Sequence, residues 1–275
     1  MEKTTFVFLV FFMALPFIVY GQANREAFAH GARSSGLANS HVTLEDGWSI
    51  FNNVGAMGRV KNTQLFCAYD HRLGLRELTT LSAGGIFTNN LGNIGFSISH
   101  FGGSLFNQQN IGLGYSNTFG LVSLGLKVNY LQTNLEGYGR SGQPFIEWGG
   151  VAQLMPTLMI GAHVFNPTRA KINNKSEDRL PTLIQIGLSY RPSPSLMVNL
   201  ETQKDILLPP QVKAGLEYNF SGKFWARCGI QPQPSQLFFG IGFKPKSFYL
   251  NYATSNHHKL GFTHHFSVNF LLDKN

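Results

Sequence analysis

The stretch VKAGLEYNF, residues 212–220, sets Val212, Ala214, Leu216, Tyr218 and Phe220 at one series of alternate positions and Lys213, Gly215, Glu217 and Asn219 at the other. A strand sends alternate side chains to opposite faces, so this ribbon has one apolar face and one that is charged or small. The pattern recurs. Ile184, Ile186, Leu188 and Tyr190 alternate with Gln185, Gly187, Ser189 and Arg191, and Phe224, Ala226, Cys228 and Ile230 with Trp225, Arg227, Gly229 and Gln231. About fourteen such segments follow residue 63, centred near Phe66, Ala83, Phe96, Leu113, Leu124, Trp148, Ile160, Ile186, Val198, Leu216, Ala226, Phe239, Leu250 and Phe266.

An even count returns the chain to the side on which it started, as a bacterial outer-membrane barrel requires. The connections then sort by parity. Tight ones fall at 117–120, 154–157, 191–195, 220–223 and 244–247, and longer ones at 71–77, 102–108, 133–143, 166–181 and 202–210. Every proline after residue 21 is expected in a turn or at a strand end, since a mid-strand proline deletes a ladder hydrogen bond that lipid cannot replace. Phe119, Tyr190, Tyr218, Phe220, Phe224, Phe243, Phe248 and Phe270 gather at the tight-turn ends, where an interfacial girdle belongs. The fold class expected is all-β: a transmembrane antiparallel β-barrel of about fourteen strands with an N-terminal plug segment in its lumen. A soluble all-β domain with those aromatics in its core is the alternative.

Residues 1–21 carry Lys3, an apolar run from Phe6 to Tyr20, and small residues at Val19 and Gly21, and read as a secretory signal rather than a membrane anchor. The domain boundaries expected are 1–21 for the signal, 22–62 for the plug and 63–275 for the barrel. No later stretch reaches the ~18 consecutive apolar residues of a spanning helix. Export turns the net charge of +8 away from nucleic acid and toward outer-membrane lipids and lipopolysaccharide. Cys67 and Cys228, the only cysteines, read as free thiols or as one disulfide, and neither reading gives chemistry.

A barrel this wide is not filled by its own side chains and needs water or a plug. The same alternation points Lys127, Glu147, Gln185, Asn199, Glu201, Lys213, Glu217 and Arg227 inward. Residues 34–57, SSGLANSHVTLEDGWSIFNNVGAM, hold no period for long. Their glycines allow turns, Asp46 and Asn52 can cap amides, and Leu37, Trp48, Ile50 and Phe51 can pack against an inner wall. A flexible tail would not carry that apolar cluster.

This segment resembles the N-terminal part of the FadL superfamily of outer-membrane barrels, especially its PorV/PorQ-like members. Gly36 and Leu37 stand in the small-residue turn, Glu45 and Asp46 form the acidic pair, and Asn52, Asn53 and Gly55 fall in the closing Asn-rich motif. Val54 replaces the usual proline. Leu260, Gly261, Phe262, Thr263 and His264 are similar to a motif in the last strand of PorV/PorQ-like proteins. The resemblance implies a fourteen-stranded barrel with residues 22–62 folded inside it, and the plug motif residues Gly36, Leu37, Asp46, Trp48, Asn52, Asn53 and Gly55.

Two functions follow from it. PorV/PorQ-like relatives are non-enzymatic subunits of outer-membrane protein secretion or assembly machinery, whereas FadL-like relatives are passive conduits for hydrophobic small molecules. The polar inward face, the short loops and the Thr263-His264 feature favour the first, with a larger outer-membrane complex or secreted cargo as partner. The basic loop 166–181, with Arg169, Lys171, Lys175 and Arg179, is the expected external contact surface. His264 and His265 fall on opposite faces of one strand and cannot chelate together, and neither a nucleotide motif nor a nucleophile elbow stands out, so no metal, cofactor or enzymatic activity is expected.

Overall fold

The computed structural model describes residues 30–171, 179–257 and 261–272. The expected signal, residues 22–29 of the expected plug, and Lys175 lie outside that set. The first half of the barrel comprises β1 (Gln64–Arg72), β2 (Thr79–Phe87), β3 (Asn93–Gly102), β4 (Phe106–Phe119), β5 (Val122–Leu135), β6 (Gly139–Met155) and β7 (Leu158–Phe165). The second half comprises β8 (Leu183–Ser193), β9 (Leu196–Asp205), β10 (Gln211–Asn219), β11 (Phe224–Gln231), β12 (Gln236–Phe243), β13 (Phe248–His257) and β14 (Gly261–Leu271). Each strand pairs antiparallel with its chain neighbours, and β1 pairs with β14 to close a fourteen-stranded barrel. Closure leaves no sheet edge without a partner strand.

The outward face carries the apolar series, with Leu113, Ile186 and Ile241 all more than half exposed, while inward Lys127 and Glu147 are buried. Burial of charge and exposure of Leu and Ile inverts the order of a water-soluble domain and suits oil outside the wall. Aromatics meet at the short-turn rim: Phe224 stacks on Phe243 at 4.6 Å, and Tyr218 meets Phe220 edge-on at 4.8 Å. Cys67 and Cys228 face outward on β1 and β11 as free thiols.

One expected loop is not a loop. Residues 133–143 belong largely to β5 and β6, which pair from Leu135 and Gly139 downward and leave only 136–138 as the turn. Strands of 14 and 17 residues reach ~46–56 Å, or ~33–40 Å upright at a 45° tilt, beyond the ~25 Å apolar band. Above that band both faces meet water, so the sequence there loses its alternation. The 102–108 connection shrinks likewise, because β4 already begins at Phe106.

Pro144 therefore lies within β6, against the expectation for prolines. Tolerance follows from strand direction. The Ile146 carbonyl accepts the Asn166 amide on the β7 side, so Pro144, two residues away, turns its nitrogen the same way. The last β6–β7 pair is Glu147 with Phe165, and beyond it β7 has ended. No ladder bond is lost.

Candidate functional site

The six inward charges expected from alternation are all buried, and the register joins them into three direct cross-strand pairs. Lys127 of β5 faces Glu147 of β6 at 3.2 Å, Lys213 of β10 faces Glu201 of β9 at 3.7 Å, and Glu217 of β10 faces Arg227 of β11 at 2.6 Å. A fourth pair, Asp70 of β1 with His265 of β14, spans the closing seam at 2.7 Å. His163 and Gln185 link the first two: His163 Nε2 lies 3.1 Å from Glu147, its Nδ1 lies 2.9 Å from Gln185, and Gln185 donates to Glu201. In the three Lys/Arg–Glu pairs, opposite charges placed directly across from one another satisfy each other inside the wall.

The segment beginning at His30 packs against inward residues throughout the wall. It contains α1 (Ala32–Gly36), α2 (Ser49–Asn52) and a 3-10 turn, Ala56–Arg59. Trp48 packs on Phe66 of β1 at 4.7 Å and donates Nε1–H to Asn269 of β14. Asn52 exchanges two hydrogen bonds with the His30 backbone, and Asn53 donates to Val42 and Gly150 carbonyls while accepting the Gly55 amide. The Gly55 carbonyl accepts from Ser116 of β4 and Ser123 of β5. Leu37 packs with Leu44 and Met197. On the far side, Glu201 accepts the His41 and Val42 amides at 2.7 and 2.8 Å.

Glycine makes this close approach possible. Cross-strand pairs Gly125–Gly149, Gly161–Gly187 and Gly215–Gly229 lie on the inner wall where the segment's backbone presses. A Cβ on Gly149 would sit 2.1 Å from Asn53 Oδ1, and one on Gly55 would sit 2.4 Å from the Gly149 backbone. Gly36 meets Gly240 in the same way, its Cβ 3.1 Å from the opposing Cα.

Arg33 of α1 carries the segment's strongest electrostatic tie. It bonds Glu217 through two nitrogens, at 2.6 and 2.9 Å, and Asp46 through a third at 3.1 Å. Burial alone would lower its pKa, but Glu217 and Asp46 hold it above the ordinary arginine range. Burial pushes His30 down to about 3 and His41 well below the usual histidine value, so both rest neutral near pH 7. Burial raises Glu45, which sits between Arg59 at 3.6 Å and Arg191 at 3.8 Å.

At the long-loop end the inner face turns apolar. Leu131, Phe145, Phe165, Leu180 and Leu183 form one buried cluster, with Ala170 against it. The polar inward face expected from alternation does not extend to this end. No local pattern marks the cluster, because its members come from four different strands and from the 166–181 loop. Of the basic loop residues, Arg179 donates to the Arg169 carbonyl and Lys171 pairs with Arg179 in a β-bridge. Alternation does not single out Arg33, His41, Arg59 or His163: the first three lie in aperiodic chain, and β7 is too apolar on both faces for His163 to stand out, whereas Arg191 lies on the inward series that alternation assigns it. His264 and His265 fall on opposite faces as expected, bonding Tyr252 and Asp70.

No protein-family model and no curated protein sequence matches the chain. Solved structures do. CymD, a monoaromatic hydrocarbon channel, superposes with a TM-score of 0.71 over 90% of this chain and 99% of its own, at 10% identity. A Pseudomonas aeruginosa FadL homologue gives 0.63 over 89% and 98%, at 12% identity. The fold is that of the FadL-type channels. The Pseudomonas putida toluene transporter TodX shares it with a TM-score of 0.57 over 80% of this chain and 91% of its own, at 10% identity. The FadL-type neighbours carry the broader of the two resemblances seen in the sequence.

Proposed function

We propose that this chain is a non-enzymatic, passive outer-membrane conduit for small hydrophobic molecules, in which residues 30–62 act as the plug. The observation that carries the reading is the FadL-type fold shared along nearly the whole of a monoaromatic hydrocarbon channel. It reverses the order suggested by sequence, where the secretion-accessory role came first. The apolar cluster of Leu131, Phe145, Phe165, Leu180 and Leu183 supports the change, because it makes the inner face at the long-loop end apolar, a closed packing that a hydrophobic solute would part and enter more readily than a charged one. On this reading the short turns face the periplasm, the wall meets outer-membrane lipid, and Arg169, Lys171 and Arg179 stand at the lipopolysaccharide surface.

The test is initial-rate uptake of radiolabelled toluene by outer-membrane-intact cells that lack their own hydrocarbon channels. Expression of this barrel is expected to raise the rate, and Phe145→Asp to reduce the gain. A rate equal to that of empty-vector cells, together with co-migration of the barrel with a larger outer-membrane assembly in mild detergent, would favour the secretion role instead.

A further inference from the structure

At the short-turn end, below the plug, lies a vestibule of two lobes, with cavity volumes of about 540 and 390 Å³. Glu45, Pro156, Thr157 and Arg191 line both lobes. The charges around it do not balance. Asp46 and Glu217 are committed to Arg33, and Glu217 to Arg227 as well. Glu45 is left to serve Arg59, Arg191 and the neighbouring Lys61. It serves them loosely: its oxygens lie 3.6 Å from Arg59 Nε and 3.8 Å from Arg191 Nη1, both beyond hydrogen-bond reach. Arg59 is itself fixed by bonds to the Leu121 carbonyl and Gln153, yet its buried Nε has no hydrogen-bond partner. A cation held rigidly with an unused donor, beside a carboxylate that stops short of it, is a place that an incoming anion can take over when that carboxylate moves aside.

The other wall of the larger lobe fits an organic body. Trp225, Met197, Pro156, Pro192 and Pro194 line it, and Trp225 is braced by Tyr249 at 5.9 Å. Burial also weakens Glu45's hold on its charge, which eases its displacement. We propose that this vestibule binds small organic carboxylates, with Arg59 and Arg191 receiving the anion and Glu45 acting as the tethered occupant that it displaces. As a statement about substrate class the inference rests on the conduit reading; as a statement about binding it stands apart.

The experiment is fluorine NMR titration of 4-fluorobenzoate into the detergent-solubilised full chain, with 4-fluorobenzyl alcohol as the neutral counterpart. Saturable binding of the carboxylate and none of the alcohol is expected. Arg191→Gln should weaken binding about tenfold, the loss of one charge-assisted contact, and Glu45→Gln should tighten it several-fold. Equal binding of the alcohol, indifference to Arg191→Gln, or weaker binding in Glu45→Gln would each overturn the proposal. Because Arg191→Gln leaves the plug sequence unchanged, misfolding of an Arg59 variant does not blur the result. Toluene uptake without fluorobenzoate binding would remove this inference and leave the conduit, whereas binding without uptake would do the reverse.

Discussion

Replacing Gly149 by alanine sets one methyl group against the seat of the N-terminal segment proposed above as the plug. The added Cβ would fall 2.1 Å from Asn53 Oδ1 and 3.1 Å from both Asn53 Cγ and the Ala162 carbonyl. Asn53 is fully buried and cannot swing away without loosening its bonds to Val42, Gly150 and Gly55. Overpacking costs ~1–3 kcal/mol and each strained hydrogen bond ~1 kcal/mol, so a total of about 2–4 kcal/mol is expected. At ~1.4 kcal/mol per decade, unseating of the plug becomes roughly 30-fold to several hundred-fold more frequent. Hydrogen exchange by mass spectrometry, followed on peptides covering residues 41–57, reads that opening directly. Gly150 is the control. One residue along the same strand, its added Cβ would meet the outward Leu124 Cδ2 at 2.8 Å, a flexible end in contact with lipid or detergent. Gly150→Ala should leave exchange of 41–57 within about threefold of wild type. Unchanged exchange in Gly149→Ala, or equal acceleration in both variants, would refute the idea that glycine on the inner wall is what seats the plug.

Glu201→Ala strips the acceptor from the His41 and Val42 amides and leaves Lys213 short of its carboxylate; a cost of about 3–5 kcal/mol should appear as rapid proteolysis near residues 40–44 in mild detergent. Acid should loosen the plug through His30. Its seated pKa of about 3 lies below the ordinary 6.5, so the unseated form binds the proton first and seating weakens as pH falls from about 6.5 toward 3, by ~1.4 kcal/mol per unit. Exchange at pH 4.5 should therefore exceed that at pH 7.5 after correction for intrinsic rates, and His30→Asn should remove part of the difference, His41 supplying the rest. Pro144→Ala should shift the thermal midpoint of the barrel by no more than a degree or two, because the proline nitrogen faces a side where β7 has already ended; a large gain in stability would mean that a ladder bond had been missing.

Alternation alone determines most of the architecture. Each strand must keep one face toward oil and one toward the lumen, so the lipid itself writes period two into the chain, and the fourteen centres, the side on which Lys127, Glu147 and Glu201 lie, and the opposite facing of His264 and His265 all follow locally. Where lipid stops acting, the signal stops: above the apolar band residues 133–143 lose their alternation although the ribbon continues through them. Pairing is a different kind of information. That Glu217 faces Arg227, or that Asp70 meets His265 across 195 residues, depends on register and on closure of the sheet, and no run of neighbouring residues encodes either. The same holds for the apolar cluster, whose members sit on four strands and a loop, and for Arg59, Glu45 and Arg191, which meet only because an aperiodic segment is folded against the wall. The sequence alone determined what each strand had to be; only the closed barrel decided which side chains share a site, because contact across the lumen is set by global geometry rather than local pattern.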